Sequence, residues 1–245
     1  MPDTGAHLSA LAADSEALID LAAGHFDAPV AACPNWTVAD LVGHLGGVYS
    51  WVALVAGAAG ERPALPRDQA PEDQDRLEDW FREQRAAVID ALSSREPDAP
   101  AWIFTSGGRG DIRWWRRRQA VETAVHLFDV EQAVGQPGDM EPELAADGVD
   151  ELLSELLPGY LSRHPVAGLA GTLHLHATDT PGEWSVDFGA ADLAVRRDHS
   201  KADTAVRGPA TGLFLWLWNR RDPDGVGLEV FGDRSVVDAW PGVRL

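Results

Sequence analysis

The sequence predicts a helical bundle followed by a small α+β domain, an α plus α+β architecture. Apolar residues recur at helical spacing through the first two thirds of the 245-residue chain. Beyond His164-Pro165 they alternate with period two, which is typical of half-buried strands. We therefore predict two domains, one helical over residues 1–164 and one of α+β type over residues 165–245, with the boundary near 160–170.

The helical part contains five predicted helices, separated by Pro- and Gly-containing segments such as the loop 60–71. They run from about Thr4 to His25, from Thr37 to Ala59, from Pro71 to just before Pro97, from Ile112 to Val134 and from Glu141 to Leu161. Thr37 and Asp40 form an acidic variant of the capping box at the start of the second helix. Gly135 stands in the C′ position that ends the fourth helix.

The second part contains short alternating segments that predict strands, with turns at 180–182 and 189–192. The predicted strands are 172–177, 184–188, 193–195, 228–231 and 235–237. Gly208-Pro209 opens a short helix from Ala210 to about Arg220, because proline is favoured at a helix start.

Composition disfavours several function classes. The chain has 20 Lys and Arg against 39 Asp and Glu, a formal net charge of −19, and residues 1–164 carry −16 of it. We expect neither nucleic-acid binding nor attraction to an anionic membrane, since both depend on basic residues. The single cysteine excludes an internal disulfide framework and a cysteine-rich metal site, while 45% hydrophobic residues suffice for a core.

No segment indicates export or membrane insertion. The N-terminus has neither a basic region nor a continuous apolar one, as a secretory signal would have. The longest apolar stretch, from Val48 to Ala59, is interrupted by Ser50 and Gly57 and is too short to span a bilayer. We therefore expect a cytoplasmic protein.

The fourth helix carries an acid and an imidazole in apolar surroundings. Glu122 and His126 are four residues apart and so share one face of the helix, amid the apolar segment 120–130. Burying both without partners is costly, and a divalent metal would satisfy both. Asp129 falls on the same side and could orient a ligand. These residues predict a metal site, although such a pair is more often an ordinary surface pair.

His44 of the second helix is the best candidate for the third ligand. It lies among Gly43, Gly46 and Gly47, each of which costs about 1 kcal/mol in a helix relative to alanine. Close approach of another backbone or of a ligand would explain these glycines. A single helical histidine is nevertheless often a satisfied core or surface residue.

Other polar residues carry weaker signals. His174 and His176 alternate on one strand face and could form a His-x-His metal pair, but no third ligand is evident and an exposed strand face is favoured. Four arginines precede Glu122, for which salt bridges to the acidic bundle are favoured over ligand binding: Arg113, Arg116, Arg117 and Arg118. Cys33 lies before Pro34 without an adjacent histidine and is interpreted as structural.

Three segments, 36–45, 118–129 and 208–220, resemble the mycothiol-dependent maleylpyruvate isomerase family. The resemblance implies a DinB-like four-helix metal-binding bundle before an α+β domain related in shape to sterol-carrier proteins. It implies zinc or a similar divalent metal held by His44, Glu122 and His126, in the positions that the residues themselves indicate. It also implies the low-molecular-weight thiol chemistry of actinobacteria.

The resemblance further implies an enzyme that uses mycothiol on a small electrophile. The metal would hold the thiol as thiolate, which adds to the double bond of a cis-enedioyl acid. Release of the thiol after rotation gives an isomerase, and retention gives an S-transferase. An arginine of the C-terminal domain would bind carboxylates in a site between the two domains; Arg220 is favoured over Arg221.

A different class of function also fits the sequence. The alternative is a non-catalytic binding protein that holds an apolar ligand in the C-terminal domain. In either case we expect small-molecule partners and a monomer or a small homo-oligomer.

Overall fold

The computed structural model describes residues 3–64, 69–189 and 193–244. Parts of the predicted loop 60–71 and turn 189–192 therefore lie outside the described residues. The chain divides into two compact units, residues 3–139 and residues 140–244. The helical part followed by an α+β part confirms the predicted fold class.

The N-terminal unit is a bundle of four long helices. They are α1 (Thr4–Ala22), α2 (Val38–Gly57), α3 (Leu77–Ser93) and α4 (Ile112–Val134). Two short strands, β1 (Pro100–Ala101) and β2 (Gly110–Asp111), pair in antiparallel fashion between α3 and α4. Helix α1 packs mainly on α4, and α2 packs mainly on α3. The core between them is continuous and apolar, and its largest buried side chains include Trp115, Tyr49 and Phe81.

Local signals place most helix ends. The Thr37–Asp40 capping box is confirmed, since the Asp40 carboxylate accepts from the Thr37 amide at 2.8 Å and Thr37 Oγ1 accepts from the Asp40 amide at 3.3 Å. Helix α4 ends at Gly135 as predicted, with that residue in the left-handed conformation. The predicted start of the third helix at Pro71 is wrong. Asp73 instead caps a 3₁₀ turn, and α3 begins at Leu77.

Removal of this capping box gives a prediction. We expect Thr37→Ala to lower the free energy of unfolding of the bundle by about 1 kcal/mol, because the Asp40 amide loses its acceptor at the helix start. Urea unfolding followed by circular dichroism measures the change. Ser9→Ala in α1 is the matched control. Its hydroxyl bonds the carbonyl of Gly5 within the same helix and caps no helix start. An equal loss in both variants would contradict the assignment.

Gly46 permits close packing of α2 against α3. A Cβ atom at this position would lie 2.4 Å from Cζ3 of Trp80. At Gly43 a Cβ would lie 3.0 Å from the Cβ of Ala70. The close neighbours of these two glycines are therefore protein side chains, which accounts for them without a ligand.

Helix α2 is long and apolar enough to cross a membrane. It includes most of the stretch 48–59, which by itself is too short to do so. More than half of its most apolar stretch is buried against other described residues, and Leu41, Leu45 and Val52 are fully covered. The core helix of a soluble bundle passes the same test as a membrane helix. We therefore assign α2 to the bundle core.

The C-terminal unit combines a five-stranded mixed sheet with four helices. The helices are α5 (Pro142–Glu151), α6 (Leu157–Arg163), α7 (Ala210–Leu217) and α8 (Ser235–Ala239), with a π-helical turn at Leu152–Leu156. The strands are β3 (Thr172–Ala177), β4 (Glu183–Asp187), β5 (Ala194–Arg196), β6 (Thr204–Gly208) and β7 (Glu229–Gly232). The sheet order is β5-β4-β3-β6-β7, in which only the β3–β6 pair is parallel.

Two elements of this unit differ from the sequence prediction. The sequence predicts a domain boundary at 164/165, whereas the two compact units divide at 139/140. Helix α5 belongs to the C-terminal unit because it packs on α7, and its Asp150 accepts a hydrogen bond from Trp184 of β4. The predicted strand 235–237 is wrong. The Asp233 side chain accepts a hydrogen bond from the Ser235 amide, at the residue where α8 begins. The apolar run in this segment is so short that its sequence pattern does not distinguish a helix from a strand.

Candidate metal centre

Helices α2 and α4 bring the three predicted ligands together. Nε2 of His44 and Nε2 of His126 each lie 3.6 Å from Oε1 of Glu122. The centroids of the two imidazole rings are 5.5 Å apart, and one donor atom from each residue lies within 4.8 Å of the others. Two imidazole nitrogens and one carboxylate oxygen thus converge on one point of the bundle.

Contacts between the same two helices fix this arrangement. The hydroxyl groups of Tyr49 on α2 and Thr123 on α4 are 2.6 Å apart and fully buried. Trp36, just before α2, places its ring 5.1 Å from that of His44. The i, i+4 spacing of Glu122 and His126 then sets their side chains on the face of α4 that His44 approaches.

A buried arginine holds the second oxygen of the Glu122 carboxylate. Arg118 is only 3% exposed, and its Nη2 donates to Oε2 of Glu122 at 2.6 Å, which leaves Oε1 to the two histidines. Burial raises the pKa of Glu122, but Arg118 and the histidines outweigh it and hold the pKa well below its usual range. The sequence favours salt bridges to the acidic bundle for Arg118, and the structure confirms one, to Glu122 four residues further along α4.

Asp129 lies on the other side of the His126 ring. Its Oδ2 is 3.1 Å from Nδ1 of His126, and the carboxylate is 2% exposed. Burial lowers the pKa of His126, but the hydrogen bonds to Asp129 and Glu122 outweigh it and raise the pKa to about 8. The ring thus has a carboxylate at each nitrogen, Asp129 at Nδ1 and Glu122 at Nε2. A metal bound at Nε2 would displace the proton there, while Asp129 keeps the proton on Nδ1.

This donor set fits a divalent transition metal. Two histidines and one glutamate are a common set of protein ligands for a zinc ion with an open coordination position. The Asp129–His126 contact is the carboxylate partner that metal-bound histidines usually have. His44 and Glu122 each keep about a quarter of their side chains exposed, so that a small molecule can reach the centre.

An aromatic cavity of about 830 Å³ opens beside His44 and Glu122. We define it by its other main lining residues, which are Trp51, Arg62, Trp102, Phe104, Trp115, Arg118 and Gln119. The guanidinium of Arg62 lies 5.1 Å from the Trp102 ring centroid, as in a cation–π contact. Cavities of this size accommodate small molecules and cofactors. Arg62 and the aromatic residues come from separate segments, so no spacing in the sequence indicates them.

A second cavity of about 730 Å³ reaches His44 from another side. Asp40 and Glu72 contribute carboxylates to its wall, together with Gly43 and Gly47 of α2. Arg62 and Arg118 make the aromatic cavity the more suitable of the two for an anionic molecule.

Family models match both parts of the chain. The model of the mycothiol maleylpyruvate isomerase N-terminal domain matches residues 8–131, and the model of the C-terminal domain of the same family matches residues 143–239. The chain belongs to the mycothiol-dependent maleylpyruvate isomerase family. The resemblance seen in segments 36–45, 118–129 and 208–220 is thereby confirmed.

Solved structures share the fold of this family member. The crystal structure of the mycothiol-dependent maleylpyruvate isomerase is similar with a TM-score of 0.64 at 14% identity, covering 94% of this chain and 93% of that chain. The structure of a histidine-to-alanine mutant of the isomerase gives the same TM-score and coverage at 13% identity. The comparison with curated proteins gives no match.

The arginine that the family resemblance indicates lies in the C-terminal unit. Arg220 follows α7, and its Nη1 donates to the carbonyl of Trp218 at 2.8 Å. The neighbouring Arg221 donates from Nη1 to the carbonyl of Arg220 at 3.1 Å. The catalytic role of Arg220 stays a prediction. Arg116, by contrast, donates to the carbonyl groups of Leu92 and Arg95 and so stabilises the end of α3.

The favoured interpretation of His174 as part of an exposed strand face is wrong. His174 is 7% exposed, and the ring of His199 lies against it edge to face with the centroids 4.9 Å apart. Burial and the nearby His199 lower its pKa. The structure also supplies the acidic partner that was not evident in the sequence, since His176 Nδ1 lies 2.5 Å from Oε1 of Glu183.

Proposed function

We propose that this chain is a metal-dependent enzyme that uses mycothiol to isomerise or conjugate a small electrophilic substrate. The observation that carries the proposal is the convergence of His44, Glu122 and His126 beside the aromatic cavity, in a chain of the mycothiol-dependent maleylpyruvate isomerase family. The proposed cofactors are a zinc ion, or a similar divalent cation, and mycothiol as the thiol cosubstrate. We further propose that the enzyme acts in the cytoplasm of an actinobacterium.

The metal would be held by the two Nε2 atoms and Oε1 of Glu122. When bound, a divalent cation lowers the pKa of a coordinated thiol and keeps it as thiolate. Arg118 anchors Oε2 of Glu122 and thereby aims Oε1 at the histidines. Asp129 holds the proton of His126 on Nδ1, so that the electron pair of Nε2 is available to bind the metal.

The aromatic cavity would hold the substrate. An anionic substrate requires a cation within reach, and Arg62 stands exposed at the wall with its guanidinium placed against Trp102. Trp51 and Trp115 would offer apolar walls to the carbon chain of the substrate. We further propose Arg220, or its neighbour Arg221, as a carboxylate-binding residue.

No thiol of the chain is needed for this reaction. Cys33 is the only cysteine, and it packs against the hydrophobic core of the bundle. The attacking sulfur therefore comes from the cosubstrate. The sulfur adds to one carbon of the double bond while a proton enters at the other. Rotation about the resulting single bond, followed by loss of one proton from that second carbon together with the thiol, gives the trans isomer and regenerates mycothiol. Retention of the adduct gives a thioether product.

Metal analysis tests this proposal. We expect zinc-loaded His44→Ala and His126→Ala to contain about one zinc equivalent per chain less than the parent, because each loses one of three ligands. Zinc is measured by mass spectrometry after removal of loosely bound ions. His25→Ala is the matched control, since His25 is exposed and bonds only nearby backbone carbonyls. Equal zinc in the parent and both variants would overturn the metal centre.

The sequence also allows a non-catalytic carrier of an apolar ligand. Assay of mycothiol consumption against a panel of electrophiles separates the two functions. The enzyme converts an electrophile only when mycothiol and the metal are present, whether it consumes the thiol or regenerates it, whereas the carrier leaves both the electrophile and the thiol unchanged. Thiol turnover that persists after metal removal would contradict the role given to the metal.

A further inference from the structure

A second group of metal-binding side chains lies on the sheet of the C-terminal unit. We call His174, His176, Glu183 and His199 the sheet cluster. His176 of β3 pairs directly with Glu183 of β4, and His174 precedes His176 by two residues. Side chains of paired residues, and of residues two apart on a strand, lie on the same face. The sheet register therefore places both histidines on the face that carries Glu183.

One oxygen of Glu183 is the centre of this cluster. Its Oε1 lies 2.5 Å from Nδ1 of His176 and 3.0 Å from Nδ1 of His199. The rings of His174 and His199 meet edge to face with centroids 4.9 Å apart. One donor atom from each of His174, Glu183 and His199 lies within 4.8 Å of the others. Three chain segments thus converge on one carboxylate.

His174 provides an independent indication of a ligand. Its side chain is more than nine-tenths buried, and its Nε2 has no hydrogen-bond partner in the part of the chain that the structure describes. Buried polar groups in folded proteins are nearly always satisfied. The hydrogen bonds of His176 and His199 satisfy the carboxylate of Glu183, but they provide no partner for Nε2 of His174. A cation bound in the cluster would account for its burial among polar groups.

We propose that the sheet cluster binds a divalent transition-metal cation of the zinc type. The converging donors are the imidazoles of His174 and His199 and the carboxylate of Glu183. Such a set suits zinc, cobalt, nickel or copper, whereas magnesium and calcium prefer oxygen ligands. The site is open to solvent, because the His199 side chain is 77% exposed and that of Glu183 is 29% exposed. The bound cation would join β3 and β4 to the segment after β5. It is separate from the His44 centre in its residues and in its unit of the chain.

Cobalt binding to the metal-stripped full-length chain tests the proposal. We expect His199→Ala and Glu183→Gln each to bind about one cobalt equivalent less than the parent in equilibrium dialysis, with at least about tenfold weaker affinity at this site. His199 is largely exposed, so its removal leaves the fold intact, which thermal unfolding without metal verifies. His164→Ala is the matched control, since this exposed histidine of the same unit lies outside the cluster. Its cobalt binding is expected to equal that of the parent.

A local readout identifies the ligands. In NMR spectra of the ¹⁵N-labelled parent, zinc addition is expected to shift the imidazole resonances of His174 and His199. In Glu183→Gln the same resonances are expected to stay unchanged. Loss of one cobalt equivalent together with these shifts supports the site. Equal cobalt binding in the parent and both variants, or His174 resonances that do not respond to zinc, overturns it. Neither outcome depends on the His44 centre, because His44, Glu122 and His126 are intact in every variant.

Discussion

Glu122→Ala and His126→Ala are each expected to lower the proposed mycothiol-dependent isomerisation of a cis-enedioyl acid by about 10³-fold or more, since metal activation contributes several kcal/mol of transition-state stabilisation. Each variant removes one of three converging donors. Glu122→Ala also removes the hydrogen bond that the buried guanidinium of Arg118 donates to Oε2, so that variant is expected to lose stability as well. Conversion of the cis to the trans acid is followed by ultraviolet absorbance with saturating thiol.

Two controls make this result specific. His25→Ala removes an exposed histidine outside both clusters, and Cys33→Ser removes the only thiol of the chain. Both are expected to keep the activity of the parent. Substantial activity in Glu122→Ala and His126→Ala would contradict the proposed centre. Loss of activity in Cys33→Ser with an unchanged fold would instead indicate that the chain supplies the attacking sulfur.

The parts of the centre that lie within one helix could be predicted from the sequence. Glu122, His126 and Asp129 lie within two turns of α4, so helical spacing alone places them on one side. Arg118 belongs to the same pattern, but its charge in an acidic bundle favoured an ordinary salt bridge. His44 required a contact between helices, which composition and periodicity do not report. The glycines near it indicated close approach of another backbone or of a ligand, but the close neighbours of Gly46 and Gly43 are side chains, those of Trp80 and Ala70.

Features that depend on distant segments could not be predicted. The aromatic cavity joins Arg62, Trp102 and Trp115, which the chain brings together only after the bundle and the β1–β2 pair have formed. His174 was expected to be exposed because alternation in a strand does not tell which face is covered. The contact that covers it comes from a distant segment, since the ring of His199 lies edge to face against that of His174.

Trp115 is the residue whose loss should cost the bundle most stability. It is 1% exposed, and its Nε1 donates to the carbonyl of Trp102 at 2.6 Å. Its ring lies against those of Trp51, Phe104 and Trp114, with centroids 4.8 to 5.9 Å away. Trp115→Ala would therefore leave a large hole and an unpaired carbonyl beside the aromatic cavity. We expect the free energy of unfolding to fall by about 3–5 kcal/mol.

Two matched variants separate the contributions of Trp115. Trp115→Phe keeps an aromatic ring but removes the donor to the carbonyl of Trp102, so a smaller loss of about 1–3 kcal/mol is expected. Phe104→Ala removes a ring that is about half exposed in the same cavity and should cost less than Trp115→Ala. Denaturant unfolding followed by circular dichroism measures all three. A loss in Phe104→Ala as large as that in Trp115→Ala would contradict this assignment. It would mean that the half-exposed ring of Phe104, and not the buried indole of Trp115, holds the segment between α3 and α4 onto the bundle.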